Sequence, residues 1–127
     1  MAELEQNKHT ARAFVELVLN DKRPAEAVAK YVGATYIQHD PQAPDGIAGF
    51  VRFLTEFLAQ FPQLTVEIKR MAADGDLVVV HSRMTTSPRD PGSALVDIFR
   101  FDDGKIVEHW DVIQPVPETA ANDNTMF

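Results

Sequence analysis

Val96-Asp97-Ile98-Phe99-Arg100-Phe101, Asp102-Asp103-Gly104-Lys105 and Ile106-Val107-Glu108-His109-Trp110-Asp111-Val112 run consecutively, and this stretch decides the fold. Both flanks are rich in β-branched and aromatic residues, and the centre is a turn segment carrying Asp-Gly. The spacing predicts a hairpin with one strand over 94–101 and the next over 106–114. Upstream, Leu64, Val66 and Ile68 alternate with Thr65, Glu67 and Lys69. Asp74-Gly75-Asp76 is a turn before a strand over 77–84, and a longer loop follows over 87–93. The second half therefore reads as an antiparallel meander.

The first half reads as helix. Asn7-Lys8-His9-Thr10 precedes Ala11, Phe14, Val15, Leu17, Val18 and Leu19 at helical spacing, which stops near Asn20-Asp21. A second helix is expected over 24–31, with Pro24 in its first turn and Gly33 as a stop. Tyr36-Ile37-Gln38-His39-Asp40-Pro41 is extended, because a residue before proline avoids the helical region. Asp45 is the expected cap of a third helix carrying Phe50, Phe53, Leu54, Phe57 and Phe61, ended by Pro62. Helices segregated from an antiparallel sheet give an α+β domain. A strongly twisted sheet of this size curls round a long helix and leaves an interior pocket.

The chain has 127 residues, enough for one domain over 1–127, with 1–7 and 118–127 as expected flexible or pocket-covering tails. Twelve Lys and Arg against 19 Asp and Glu give a net charge of −7, which repels phosphate and anionic lipid. Neither nucleic acid nor membrane is an expected partner. Without cysteine there is no disulfide, thiolate nucleophile or Cys-bound metal. No apolar stretch reaches the length of a membrane span, and a cytoplasmic location is expected.

Strand parity identifies the inward side chains. Leu95, Asp97, Phe99 and Phe101 share one face of the third strand, and Val96, Ile98 and Arg100 the other. On the fourth, Val107, His109, Asp111 and Ile113 share one face, and Ile106, Glu108, Trp110 and Val112 the other. Both faces carry large apolar groups, so the outer one is expected to meet a second copy through Val96, Ile98, Trp110 and Val112. The alternative cover is the C-terminal tail.

A carboxylate among apolar neighbours is costly unless paired. The structural reading pairs Asp97 with a nearby His or Arg, and Asp111 with His109, His81 or a tail amide. The chemical reading uses such groups as acids and bases with shifted proton affinities. Asp111 is then the acid/base and Asp97 a donor or second carboxylate, with His39, His81 and His109 orienting or relaying. Tyr36, Asp40, Phe53, Phe57, His81, Phe99 and Trp110 are the expected substrate contacts. His39, Asp40, His81, His109 and Asp111 are possible metal ligands, but neither H-x-x-x-H nor H-E-x-x-H occurs. No metal and no cofactor is expected, and no glycine-rich phosphate loop or G-x-S-x-G motif is present.

The segment from Tyr36 to Pro41 and the string from Val96 to Val112 resemble the SnoaL-like polyketide cyclases of the nuclear-transport-factor-2-like (NTF2-like) superfamily, over roughly residues 8–117. The resemblance implies a cone of three N-terminal helices packed into a strongly curved, mainly antiparallel sheet, usually dimeric. It implies cofactor-independent aldol-type cyclisation, isomerisation or dehydration of a small apolar carbonyl compound. By position Asp111 resembles the cyclase aspartate. Asp97 falls where ketosteroid isomerases of the superfamily keep an oxyanion-binding Asp, and His39-Asp40-Pro41 near their general base. The superfamily also holds non-catalytic binding domains and epoxide hydrolases, whose Asp-Arg-Asp set would need Arg83 or Arg100.

Overall fold

In the computed structural model, which describes residues 2–127, helices come first and the sheet second. Helix α1 (Ala2–Val15) continues through a π-helical turn (Glu16–Asn20), and α2 (Pro24–Tyr31) follows. Strand β1 (Val32–Gln38) precedes α3 (Ile47–Gln60). Strands β2 (Thr65–Asp74), β3 (Leu77–Thr85), β4 (Ser93–Asp102) and β5 (Lys105–Pro115) complete the chain. The sheet is curved and unclosed, in the order β1-β5-β4-β3-β2, with β1 parallel to β5 and the other pairs antiparallel.

Local chemistry explains several boundaries. Helix α1 begins at Ala2, so residues 2–7 are its first turns and not a tail. Glu3 and Glu5 suit the positive end of the helix dipole. At its far end Asn20 bonds the Val66 backbone twice, donating to the carbonyl at 3.0 Å and accepting from the amide at 2.8 Å. That clamp fixes the helical layer on the start of β2. Asp45 does not cap α3; its Oδ1 accepts from the amides of Gln38 and Gly46, which ties the loop back to β1.

Ala11, Phe14 and Val18 from the first helical segment and Phe50 from α3 pack on Val66, Val78, Val80, Leu95, Phe99 and Phe101 of the sheet. Phe14 stacks on Phe50 at 6.0 Å and meets the edge of Phe99 at 5.7 Å. Among the described residues no helix is long and apolar enough to cross a membrane.

The β4–β5 hairpin departs from strict alternation. Asp103 and Gly104 have φ of 50° and 78°, the left-handed pair of a tight hairpin turn. Phe101 pairs with Ile106, but Arg100 pairs with Glu108, so Val107 is an extra residue, a β-bulge. Ile106 is therefore fully buried in the core and not on the outer face where parity put it. Beyond the bulge His109 lies opposite Phe99, and Asp111 opposite Asp97. The outer face keeps exposed apolar groups, with Val112 70% exposed. The tail returns along it far enough to set the Phe127 ring 5.3 Å from the Arg83 guanidinium.

Candidate active site

The helices, the β1 segment and strands β3, β4 and β5 build a half-open cavity of about 110 Å³ between the helices and the inner face of the sheet. From α1 and the π-turn come Phe14, Val15, Val18 and Leu19, and from α3 Phe50, Phe53, Leu54 and Phe57. These helices contribute only apolar groups. The polar wall belongs to the strands: Tyr36 and Gln38 from β1, Asp40 just after it, Asp97 with Phe99 from β4, and His109 with Asp111 from β5. Residues 36, 38 and 40 alternate, so one extended segment delivers all three side chains inward.

His109 is the centre of this wall. Its ring lies between Tyr36 (6.2 Å, 13°) and Phe99 (5.0 Å, 28°). Its Nε2 is 2.8 Å from Asp97 Oδ1, and its Nδ1 is 2.8 Å from Gln38 Oε1. The Gln38 oxygen also accepts the Asp40 amide at 3.1 Å, which fixes the orientation of the side-chain amide. Nδ1 must then carry a proton and donate. A carboxylate facing Nε2 calls for a second N–H there, so the geometry suits an imidazolium that donates from both sides. Burial opposes that charge. The hydrogen bond and charge of Asp97, with Asp111 and Asp40 behind them, outweigh it and hold His109 above its ordinary value.

Gln38 Nε2 donates to the Tyr36 hydroxyl at 3.5 Å. Burial first, and then the Asp97 charge, keep this phenol well above its ordinary range, so it stays protonated. Asp111 is half-buried at the cavity wall. Burial pushes its carboxyl up to about 7; the nearby imidazolium opposes this, while the charges of Asp40 and Asp97 and a hydrogen bond with Asp40 add to it. A carboxyl poised there exchanges protons near neutrality.

The structure brings together Tyr36, Asp40, Phe53, Phe57, Asp97, Phe99, His109 and Asp111 from the sequence reading. Asp40, not its neighbour, faces the cavity. Three expected site residues lie elsewhere. His39 stacks on Trp110 at 4.8 Å on the outer face, and its Nε2 is 2.8 Å from Glu108 Oε2. Trp110 therefore covers a histidine and not a substrate. His81 points outward with Arg70, as its pairing opposite Val96 requires. Arg100 is bound to Glu108 and Arg83 to the Pro91 carbonyl, so no Asp-Arg-Asp set forms at the cavity. Gln38 escaped the sequence reading, although its spacing between Tyr36 and Asp40 marks it. Asp97, His109 and Asp111 offer ligand atoms within 4.8 Å of one another, but a cation there would displace the His109–Asp97 hydrogen bond.

The model of a family described as "SnoaL-like domain" matches residues 11–109. No curated protein matches significantly. A candidate polyketide cyclase from Acidithiobacillus ferrooxidans is 26% identical, with TM-score 0.72, covering 85% of this chain and 87% of its own. A candidate SnoaL-like polyketide cyclase from Jannaschia is 22% identical, with TM-score 0.75 and coverages of 89% and 88%. A candidate ketosteroid isomerase from Kribbella flavida is 19% identical, with TM-score 0.74 and coverages of 94% and 86%. These last two likenesses concern the fold alone.

Proposed function

Because the chain belongs to the SnoaL-like domain family, we propose that its cavity performs cofactor-independent acid/base chemistry on an apolar carbonyl compound. Asp111 takes a proton from the carbon beside the carbonyl, and the electron pair moves onto the oxygen as an enolate. The Tyr36 hydroxyl donates to that oxygen. Where the substrate is a β,γ-unsaturated ketone, the electron pair spreads over a dienolate. Asp111 then returns the proton to the γ carbon, which moves the double bond into conjugation, an isomerisation. Alternatively the enolate carbon attacks a second carbonyl, whose oxygen takes the Asp111 proton, an aldol closure. The His109–Asp97 pair holds the wall polar and Asp111 in place, and Gln38 positions His109. The observation that carries this reading is a half-buried carboxyl, Asp111, set beside a buried ion pair on the wall of an aromatic cavity.

Exchange of α-protons for deuterium in a panel of aryl ketones and aryl 1,3-diketones, followed by NMR, tests it. The protein should accelerate exchange with a rate that climbs with pH toward about 7. Asp111→Asn should lower the rate by about 10²–10⁴-fold. Exchange no faster than buffer, or unchanged in the variant, overturns the reading; ligand retention without exchange would favour a binding domain. The exposed Val112 on the outer face supports a homodimer there, through Val96, Ile98, Trp110 and Val112.

A further inference from the structure

We propose that the ligand of this cavity carries a basic nitrogen, held as an ammonium between Asp40 and Asp111, with its apolar body among Phe50, Phe53 and Phe57 and a carbonyl at Tyr36. This deepens the acid/base reading above and rests on it.

The charges on the cavity wall do not balance. Its ionisable groups are Tyr36, Asp40, Asp97, His109 and Asp111, and among the described residues no lysine or arginine lines it. The one cation, His109, is committed to Asp97 at 2.8 Å. Asp40 and Asp111 make no ion pair with any described residue, and the His109 charge offsets that of Asp111 only in part. One Asp40 oxygen accepts the Gln42 amide at 2.9 Å, and the Asp40 and Asp111 carboxyls line the same cavity. Two carboxylates on one cavity wall repel each other, and a cation set between them relieves that repulsion.

The rest of the wall independently asks for a ligand of this kind. Tyr36 is 4% exposed, and its hydroxyl accepts from Gln38 but has no acceptor of its own among the described residues. That is a buried O–H aimed into a cavity, suited to a carbonyl oxygen. The aromatic faces of Phe50, Phe53 and Phe57 favour a cation over an anion. A ligand bearing carboxylate or phosphate would meet repulsion from Asp40 and Asp111, and from a chain of net charge −7. An ammonium beside Asp111 also favours its carboxylate, the form that abstracts a proton. Substrate would thereby prime its own base. The other groups facing Asp111 are Asp40 and Tyr36 from the β1 segment, Asp97 from β4 and His109 from β5, while both helices face it with apolar groups.

Isothermal titration of the intact chain with phenylpropylamine, phenylpropanol and phenylpropionate, at about pH 7.5 and low salt, decides the matter. A charged hydrogen-bonded contact should make the amine at least about tenfold tighter than the alcohol, with the propionate weakest. Amine binding should release protons, read from the dependence of the heat on buffer. Asp40→Asn should erase the amine's advantage over the alcohol, and a urea-unfolding transition like the parent's shows that the variant is folded. The proposal is overturned if the alcohol or propionate binds as tightly as the amine, or if none of the three binds. Ketone exchange without amine preference removes this proposal and leaves the acid/base reading; amine preference without exchange does the reverse.

Discussion

Replacing Asp111 by Asn should make the protein more stable, and increasingly so as the pH rises. Burial and the neighbouring carboxylates move the Asp111 carboxyl from 3.8 to about 7. Between those values the folded protein holds a proton that the unfolded chain has released, so stability falls as the pH climbs through that window. Fully realised, the shift corresponds to about 4 kcal/mol. Asp111 is only half-buried, and water and salt screen its charge, which leaves about 1–2 kcal/mol. Asp111→Asn removes this loss. The variant should match the parent near pH ~4 and exceed it by about 1–2 kcal/mol near pH ~6.5. His109 works in the other direction. Its raised proton affinity stabilises the fold below its ordinary value of 6.5, and that contribution fades as pH rises through the folded value. Asp111 supplies part of the support for the imidazolium, so the variant loses it earlier, and the comparison is cleanest on the acid side of 6.5. Urea unfolding of both proteins at several pH values gives the difference directly. A difference that stays flat across the window would return Asp111 to ordinary carboxylate behaviour and remove the basis for assigning it the proton transfer.

Two further outcomes follow from the same geometry. Asp97→Asn breaks the buried pair with His109 and should cost about 3 kcal/mol in urea unfolding. The ¹⁵N shifts of the His109 ring should report a larger share of doubly protonated ring in the parent than in this variant at the same pH; identical spectra would refute the imidazolium reading. His39→Ala removes the Trp110 stack and the Glu108 contact, which should cost about 1 kcal/mol of stability. Ketone exchange should stay within about threefold of the parent, and a loss comparable to that of Asp111→Asn would return His39 to the chemistry.

Much of this architecture was legible, and the gaps have physical causes. Pro24 and the spacing of Ala25, Ala27 and Val28 give the second helix over Pro24–Tyr31. Parity brings Asp97, Phe99, His109 and Asp111 to one wall. The start of α1 is hidden because its first two turns are polar and hold no apolar stripe. Strand β1 shows only in part, since Val32-Gly33-Ala34-Thr35 does not alternate and its partner is β5, at the other end of the chain. His81 was misplaced because Leu77-Val78-Val79-Val80 is apolar on both faces. Local pattern cannot orient such a strand; pairing of His81 with Val96 of β4 does. His39 was misplaced for a related reason, as its neighbours Gln38 and Asp40 hold the inward positions and leave it the outer face.

Register, more than residue type, creates the site. A tight Asp103-Gly104 turn with uninterrupted pairing would set Asp97 opposite Trp110 and turn His109 and Asp111 toward the outer face. The bulge at Val107 shifts the partners by one, so Asp97 meets Asp111 and Phe99 meets His109. Gly33 on β1 accommodates it: a Cβ there would come within 3.1 Å of Val107 Cγ1. The shifted register places two carboxylates directly across from each other, an arrangement that costs stability in a sheet. His109 sits diagonally from Asp97 and pairs with it at 2.8 Å, which leaves Asp111 turned into the cavity, half-buried and without an ion pair of its own. The raised proton affinity of Asp111 is thus a consequence of one inserted backbone residue. Any relative that keeps the aspartates and the histidine but closes this hairpin without the bulge should carry the residues and lack the site.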